Sequence, residues 1–366
     1  FYPLHEPSMR KYARTDEATG RVTYDQGFTK PPDLVTNGPY RLASWEFKKR
    51  LRLVANQHYW DAKNVKLRVM DQISAEDPFT AFTIYDTGGV DWLSEVHPDV
   101  GAALRQIGRP DLRVFSGFGT YFYSLNCQPK LPDGRDNPLK DVRVRRALAM
   151  SIDKRPIVEN VTRLGESVAT TYIPRGIFKD YPSPAGLPFD LARARQELSD
   201  AGFPGGRGFP RLTLLFNTGA HHADVAQIIQ RQWKQNLGIE VDLEGVEVKD
   251  FGNRLRTQQY MIARASWIGD YTDPSTFTDK YLSVSDNNDA KWLNKEYDDL
   301  CAQAAVEPDQ AKRLQLLARA ETILLEAAPI IPMYSYGNSD LVKPYVSGIP
   351  KNPRNMINFK SVEVRR

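Results

Sequence analysis

The sequence predicts an α/β protein of two lobes, and three observations carry that prediction. A strand, a helix and a second strand follow one another between Leu212 and Leu243. A further apolar run, Met261 to Ala263, supplies another strand for the same sheet. The length of 366 residues exceeds what one hydrophobic core usually serves.

Taking the elements in order, residues 1–35 are polar and irregular, with Pro31-Pro32 marking a linker. Thr36-Asn37-Gly38-Pro39-Tyr40 is a tight-turn signal. Tyr40 to Trp45 and Leu51 to Val54 then read as a hairpin, Lys66 to Met70 as a further strand, and Pro78 to Tyr85 as a helix. Gly88 to Trp92 turns into a short strand. The composition shifts near Gly117-Phe118-Gly119, and an aromatic strand follows at Tyr121 to Asn126, with a lobe boundary just before it. Val144, Ala147, Leu148 and Ile152 recur at helical spacing behind Asp141, a ready N-cap. Asp153 and Pro156 restart a second helix, and Phe189 to Gly202 is a third, closed by its glycine.

The α/β unit itself begins at Leu212 to Phe216. Val225, Ile228, Ile229, Trp233 and Leu237 form one helical face that ends at Gly238, and Ile239, Val241 and Leu243 alternate with acidic residues as the next strand. Strand, helix, strand implies parallel pairing. The Met261 run joins that sheet, and its continuation sets Arg264, Trp267 and Asp270 where the chain loosens before Asp273-Pro274. Ligands collect at strand ends in such sheets. The plainer alternative is that Arg264 and Asp270 pair with each other or with neighbours. Asp309 to Ala328 is a long helix with Leu314, Leu317, Leu324 and Leu325 inward, followed by apolar segments at Ile330 to Tyr336 and Leu341 to Pro344.

Composition excludes several classes. A net charge of +4, with both signs interspersed, gives no nucleic-acid footprint. No apolar run reaches the ~18 residues of a membrane span. Cys127 and Cys301 stand far apart; a bridge between them is open, but nothing local calls for one, and they read as two isolated thiols. No metal motif occurs, and the adjacent His221 and His222 do not face one site, so neither a metal nor a cofactor is expected. The chain starts at Phe1 with no signal segment and reads as a mature or truncated product.

Five motifs taken together resemble the oligopeptide- and dipeptide-binding proteins of ABC importers. They are Asn37-Gly38-Pro39-Tyr40 with Trp45; Asn56 with Tyr59-Trp60; Asp141 to Leu148; Trp267-Ile268-Gly269-Asp270-Tyr271; and Ile331 to Tyr334 with Leu341 to Pro344. The resemblance implies a periplasmic-binding-protein-like two-lobed fold with a hinge and its N-terminal part missing. Residues 1–115 would continue the first lobe, 116–330 form the second ligand-binding lobe, and 331–366 return to the first. An incomplete first lobe would expose apolar surface and make the chain aggregation-prone.

The same resemblance implies the chemistry. Asp270 would receive the peptide's α-ammonium, which is mostly cationic at neutral pH and needs a carboxylate once desolvated. Arg264 would take the peptide carboxylate through its planar fork, and His222 the carboxylate of longer peptides. Trp267 would wall the cleft, as would Tyr334 and Tyr336, with core packing the alternative for all three. A second arginine used by one subgroup falls on Leu255 here, which leaves the preferred peptide length open. A straight strand from Arg264 to Asp270 would span ~20 Å, so the chain must curl if both grip one short peptide. The partners implied are a short peptide and an ABC permease, with no nucleic acid, for a monomer outside the cytoplasm, periplasmic or membrane-anchored. The rival readings are another solute (a dipeptide, a nickel chelate or a sugar) or the ligand-sensing domain of a transcriptional regulator. Nothing in the sequence supports an enzyme.

Overall fold

The computed structural model describes residues 4–219 and 221–366. The chain divides into two compact units. The first comprises residues 1–113, 339–351 and 355–366, and the second 114–338 and 352–354.

In the first unit β1 (Tyr40–Glu46), β2 (Arg50–Ala55) and β3 (Val69–Ile73) form an antiparallel sheet. The third strand lies a few residues later than the alternation at Lys66 suggests. Two of the sequence motifs meet in one turn: Asn56, almost fully buried, donates to the carbonyls of Gly38 at 2.9 Å and Thr36 at 3.3 Å. The N-terminal segment is more ordered than its polarity implies, with a helix at Glu6–Arg10 and a hairpin of Ala13–Thr15 with Val22–Tyr24. Helix α1 (Pro78–Asp86) starts on Asp77, whose carboxylate accepts from Thr80 N–H at 2.7 Å. The short β4 (Trp92–Leu93) pairs with Leu341 and Val342, and α2 (Pro98–Gln106) packs Leu104 beside Tyr85 and Leu341. Arg113 and Asp340 form a buried forked pair that also receives Trp92 Nε1–H, so the buried carboxylate is fully met.

The second unit is built on one mixed sheet. Its longest strands are β5 (Leu112–Leu125) and the strand Ile330–Val342, of which residues 112–113 and 339–342 are counted with the first unit. β5 starts well before Tyr121 because Gly117 and Gly119 do not interrupt it; they let neighbours approach closely. A Cβ on Gly117 would sit 2.8 Å from the Tyr336 carbonyl oxygen. Helix α3 (Val142–Met150) is capped by Asp141, which accepts from Arg143 N–H at 2.8 Å. Buried Arg145 donates to the carbonyls of Leu139, Lys140 and Ala327 at 2.8–2.9 Å, fastening this helix to its surroundings. The helix restarted near Asp153 is a short turn at Arg155–Ile157 with a π-turn behind it.

β6 (Ser167–Val168), α4 (Leu191–Asp200), β7 (Leu212–Asn217), α5 (His222–Leu237), β8 (Val241–Val246), α6 (Val248–Arg256) and β9 (Ile262–Ile268) follow. Then come α7 (Lys295–Val306), α8 (Gln310–Ala327) and β10 (Ile330–Val342). β10 is one continuous strand where the sequence suggests two segments. The order β8-β7-β9-β5-β10 runs across the unit, with β6 beside β10. β7–α5–β8 is parallel, Leu212 opposite Val241, as the sequence predicts, and β9 is parallel to β7 and antiparallel to β5. Gly238 closes α5 in the left-handed region at φ 71°.

Alternation along the strands splits the core. Tyr121, Tyr123 and Leu125 pack with α3, α4 and α5, whereas Phe118 and Phe122 pack with α7 and α8. Trp233 fills the first cluster, fully buried, and its Nε1–H reaches the Leu148 carbonyl at 3.1 Å. Glu321 sits in the second with no exposure, accepting from the N–H groups of Tyr172 and Ile173 and from Tyr181 Oη–H at 2.8–2.9 Å. Cys127 and Cys301 are both free. No described helix is long and apolar enough to cross a membrane.

Candidate functional site

From β7 the chain passes through α5 to β8 on one side, then through α6 to β9 on the other. Connections that leave a strand in opposite directions open a crevice at its carboxyl end. Asn217 ends β7 there, and His222 begins α5 close behind it.

Arg264 reaches this crevice from β9. It is the third residue of that strand, opposite Tyr123, and not at the strand end as the sequence suggests. Its side chain leans towards the far end: the guanidinium carbon lies 5.0 Å from the ring centroid of Tyr121, the cross-strand partner of Ser266. The guanidinium makes only long contacts, 3.4 Å to Asn217 Oδ1 and 3.4 Å to Tyr336 Oη. Its Nε–H is buried without a partner, as is the Tyr123 hydroxyl. Among the described residues no carboxylate pairs with Arg264, which removes the plainer alternative of a local ion pair.

Around the guanidinium stands a box of neutral polar rings. Tyr334 stacks on Tyr121 at 4.6 Å, Tyr336 meets Tyr334 edge-on at 5.7 Å, and His222 Nδ1 shares a hydrogen bond with Tyr121 Oη at 3.2 Å. Burial, then the charges of Arg264 and His221, push His222 down to about 4, so it is neutral at physiological pH. Burial pushes the Tyr121 phenol up to about 12 and holds Tyr334 well above its usual range. Of the rings and the guanidinium that form the box, Arg264 alone is charged at neutral pH, with the Glu166 carboxylate near enough to Tyr334 to help raise its phenol; an incoming anion meets a cation with unused donors. His221 turns elsewhere, towards Asp224 at 3.4 Å.

Four of the six residues singled out from the sequence, Arg264, His222, Tyr334 and Tyr336, thus converge. Trp267 does not join them. It lies on the opposite face of β9, packs against the α7–α8 core, and donates Nε1–H to the Thr276 carbonyl at 2.7 Å. Lys280 lies 5.0 Å from its ring centroid.

Asp270 stands just past the end of β9. The ladder to β5 continues through Ile268, opposite Gly119, and Gly269 N–H still reaches the Phe118 carbonyl at 2.9 Å. The curl expected between Arg264 and Asp270 is therefore absent; the lean of the arginine side chain shortens the gap instead. Asp270 N–H donates to Thr276 Oγ1 at 2.9 Å, and its carbonyl accepts from Arg354 at 2.6 Å. Arg313 clamps the Asp273 carboxylate below with two bonds of 2.7 and 2.8 Å. With its backbone held on both sides, the Asp270 side chain is exposed, and no described residue pairs with its carboxylate.

Leu255 packs within α6 against the cluster of Leu215, Phe251, Tyr260 and Ala263. Arg254 beside it is committed to Glu244 at 2.6 Å and Asp250 at 3.0 Å, and Arg256 to Asn253. Sequence reasoning missed Tyr121, Tyr123, Asn217 and Arg354. Asn217, ending a strand five residues before His222, carried the clearest signal. Among the described residues no cluster of three or more metal-binding side chains occurs.

Comparisons with known proteins agree with this architecture. The family model described as "Bacterial extracellular solute-binding proteins, family 5 Middle" matches residues 5–289. The periplasmic murein peptide-binding protein MppA of Escherichia coli is 34% identical over 332 residues, 89% of this chain and 60% of that protein. The oligopeptide-binding protein OppA of Bacillus subtilis is 31% identical over 323 residues, 83% of this chain and 56% of that protein. The solved structure of Haemophilus influenzae OppA in complex with RPPGFSPFR superposes with a TM-score of 0.76 at 29% identity, covering 99% of this chain and 69% of that one. The chain thus spans roughly three fifths of the length of these curated relatives.

Proposed function

The chain belongs to the bacterial extracellular solute-binding proteins of family 5, and from that premise we propose that the full-length protein captures short peptides outside the cytoplasm and hands them to an ABC permease. It does no covalent chemistry. In this reading the ligand carboxylate enters the box and meets Arg264, while the ligand ammonium meets Asp270. The observation that carries it is the Arg264 guanidinium, paired with no described carboxylate and with a buried, unpartnered Nε–H, among rings that are themselves neutral. Binding an anion would satisfy donors that the protein leaves open, and a bidentate carboxylate fits that fork.

The strand also measures the ligand. From the level of Ser266, where the guanidinium reaches, to Asp270 is four residue steps, about 13 Å at ~3.3 Å each. An extended chain of three or four residues has its termini about that far apart. A tripeptide or tetrapeptide is therefore the favoured occupant. With a half-buried leucine, Leu255, at that position of α6, no second arginine is added for a longer one.

The test is calorimetric titration of the full-length protein with a tetrapeptide and its C-terminal amide. The free acid should bind at least tenfold more tightly, since a charge-assisted hydrogen bond contributes about 1.5–3 kcal/mol. Arg264→Ala should erase that difference, and Arg264→Lys should restore it only in part. Equal binding of acid and amide by the unaltered protein would remove Arg264 from the role.

A further inference from the structure

The segment Asn352–Arg354 belongs to the second unit although the residues on either side of it belong to the first. Asn338 Nδ2 holds it there, donating to the carbonyls of Pro353 at 3.1 Å and Ser116 at 3.3 Å. Arg354 then places one N–H on the Asp270 carbonyl at 2.6 Å. No described carboxylate forms an ion pair with Arg354, whose guanidinium is fixed on the backbone carbonyl of the residue that carries the exposed Asp270 carboxylate. A guanidinium carries five N–H donors, and one is engaged.

We infer that Arg354 is a specificity-determining residue at the amine end of the ligand, positioning Asp270 and favouring peptides whose first side chain is acidic over those whose first side chain is basic. The inference rests on the reading of Asp270 as the ammonium receptor. With the ammonium on that carboxylate, the ligand's first residue is the one that approaches the Asp270–Arg354 contact. A cation there meets a like charge, whereas a carboxylate meets open donors. The hydrogen bond to the carbonyl fixes the Asp270 peptide plane without occupying the carboxylate, so positioning and selection come from one side chain. Because the group is partly exposed, the selection is modest and screened by salt.

The full-length protein is titrated with Glu-Ala-Ala, Ala-Ala-Ala and Lys-Ala-Ala at low and at high salt, together with N-acetyl-Ala-Ala-Ala. At low salt Glu-Ala-Ala should bind roughly two- to fivefold more tightly than Lys-Ala-Ala, the span of an exposed ion pair. The ratio should shrink at high salt. Arg354→Gln keeps a donor for the carbonyl and removes the charge, so the ratio should collapse towards one; Arg354→Lys keeps the charge and should keep the ratio. Thermal melting of both variants reports any loss of fold, which would lower all affinities together and leave the ratio alone. A ratio near one in the unaltered protein, or a ratio unchanged in Arg354→Gln, overturns the inference about Arg354 while leaving the amine site standing. Acetylated peptide bound as tightly as the free amine overturns the amine site and this inference with it.

Discussion

Replacing Glu321 with glutamine should change how stability depends on pH, with a sign set by its burial and a size of a few kcal/mol. Burial first, opposed by hydrogen bonds from Ile173, Tyr181 and Tyr172, pushes the carboxyl up to about 7 from an ordinary 4.5. A folded-state value above the unfolded one means the native protein holds a proton that the unfolded chain releases between those pH values. Its stabilising effect is complete below about 4.5 and is lost as pH rises through about 7. The difference of some 2.5 units corresponds to about 3 kcal/mol at 1.36 kcal/mol per unit. Glutamine keeps an oxygen for the Tyr172 and Ile173 N–H groups, and its amide faces Tyr181 Oη, which can accept as well as donate. The assay is urea unfolding of the full-length protein and the variant from pH 4.5 to pH 8. Relative to the original protein, Glu321→Gln should gain about 2–3 kcal/mol across that range, because no carboxyl remains to ionise. Parallel stability curves for the two proteins would refute the assignment of a raised pKa to Glu321.

His222 should titrate near 4 in the folded protein, read by NMR of its ring protons, because burial and the Arg264 charge disfavour imidazolium. Its folded value lies below the unfolded 6.5, so this group costs stability as pH falls from about 6.5 towards 4, and His222→Gln should flatten that limb. A midpoint near 6.5 would contradict the closed, Arg264-facing box. Trp233→Ala should destabilise by about 3–5 kcal/mol in denaturant titrations, from the cavity and the lost hydrogen bond to the Leu148 carbonyl; a change under 1 kcal/mol would contradict its place at the centre of the core.

What the sequence made legible follows from what periodicity encodes. The strand–helix–strand unit was readable because Val225, Ile229, Trp233 and Leu237 fall on one face at 3.6-residue spacing, with Gly238 as a local stop. The long α8 was readable from its leucines and the aspartate at its start. β5 was read too short because glycine weakens a strand pattern, although here two glycines serve close approach by neighbouring strands. The convergence of Arg264, Asn217 and His222 with Tyr121, which lies at least 96 positions before any of them, comes through sheet register, which one chain's pattern does not encode. Trp267 looked like a cleft wall from its motif, yet strand alternation turns it to the other face. Arg354 had no local signal at all, since its meaning comes from a three-residue return of the tail.

The most direct test of peptide capture is calorimetric titration of the full-length protein with Ala-Ala-Ala and its N-acetylated twin, repeated on Asp270→Ala. The account predicts tight binding of the free amine by the unaltered protein, at least tenfold weaker binding on acetylation, and no such difference in the variant. Equal binding of both peptides by the unaltered protein would contradict it.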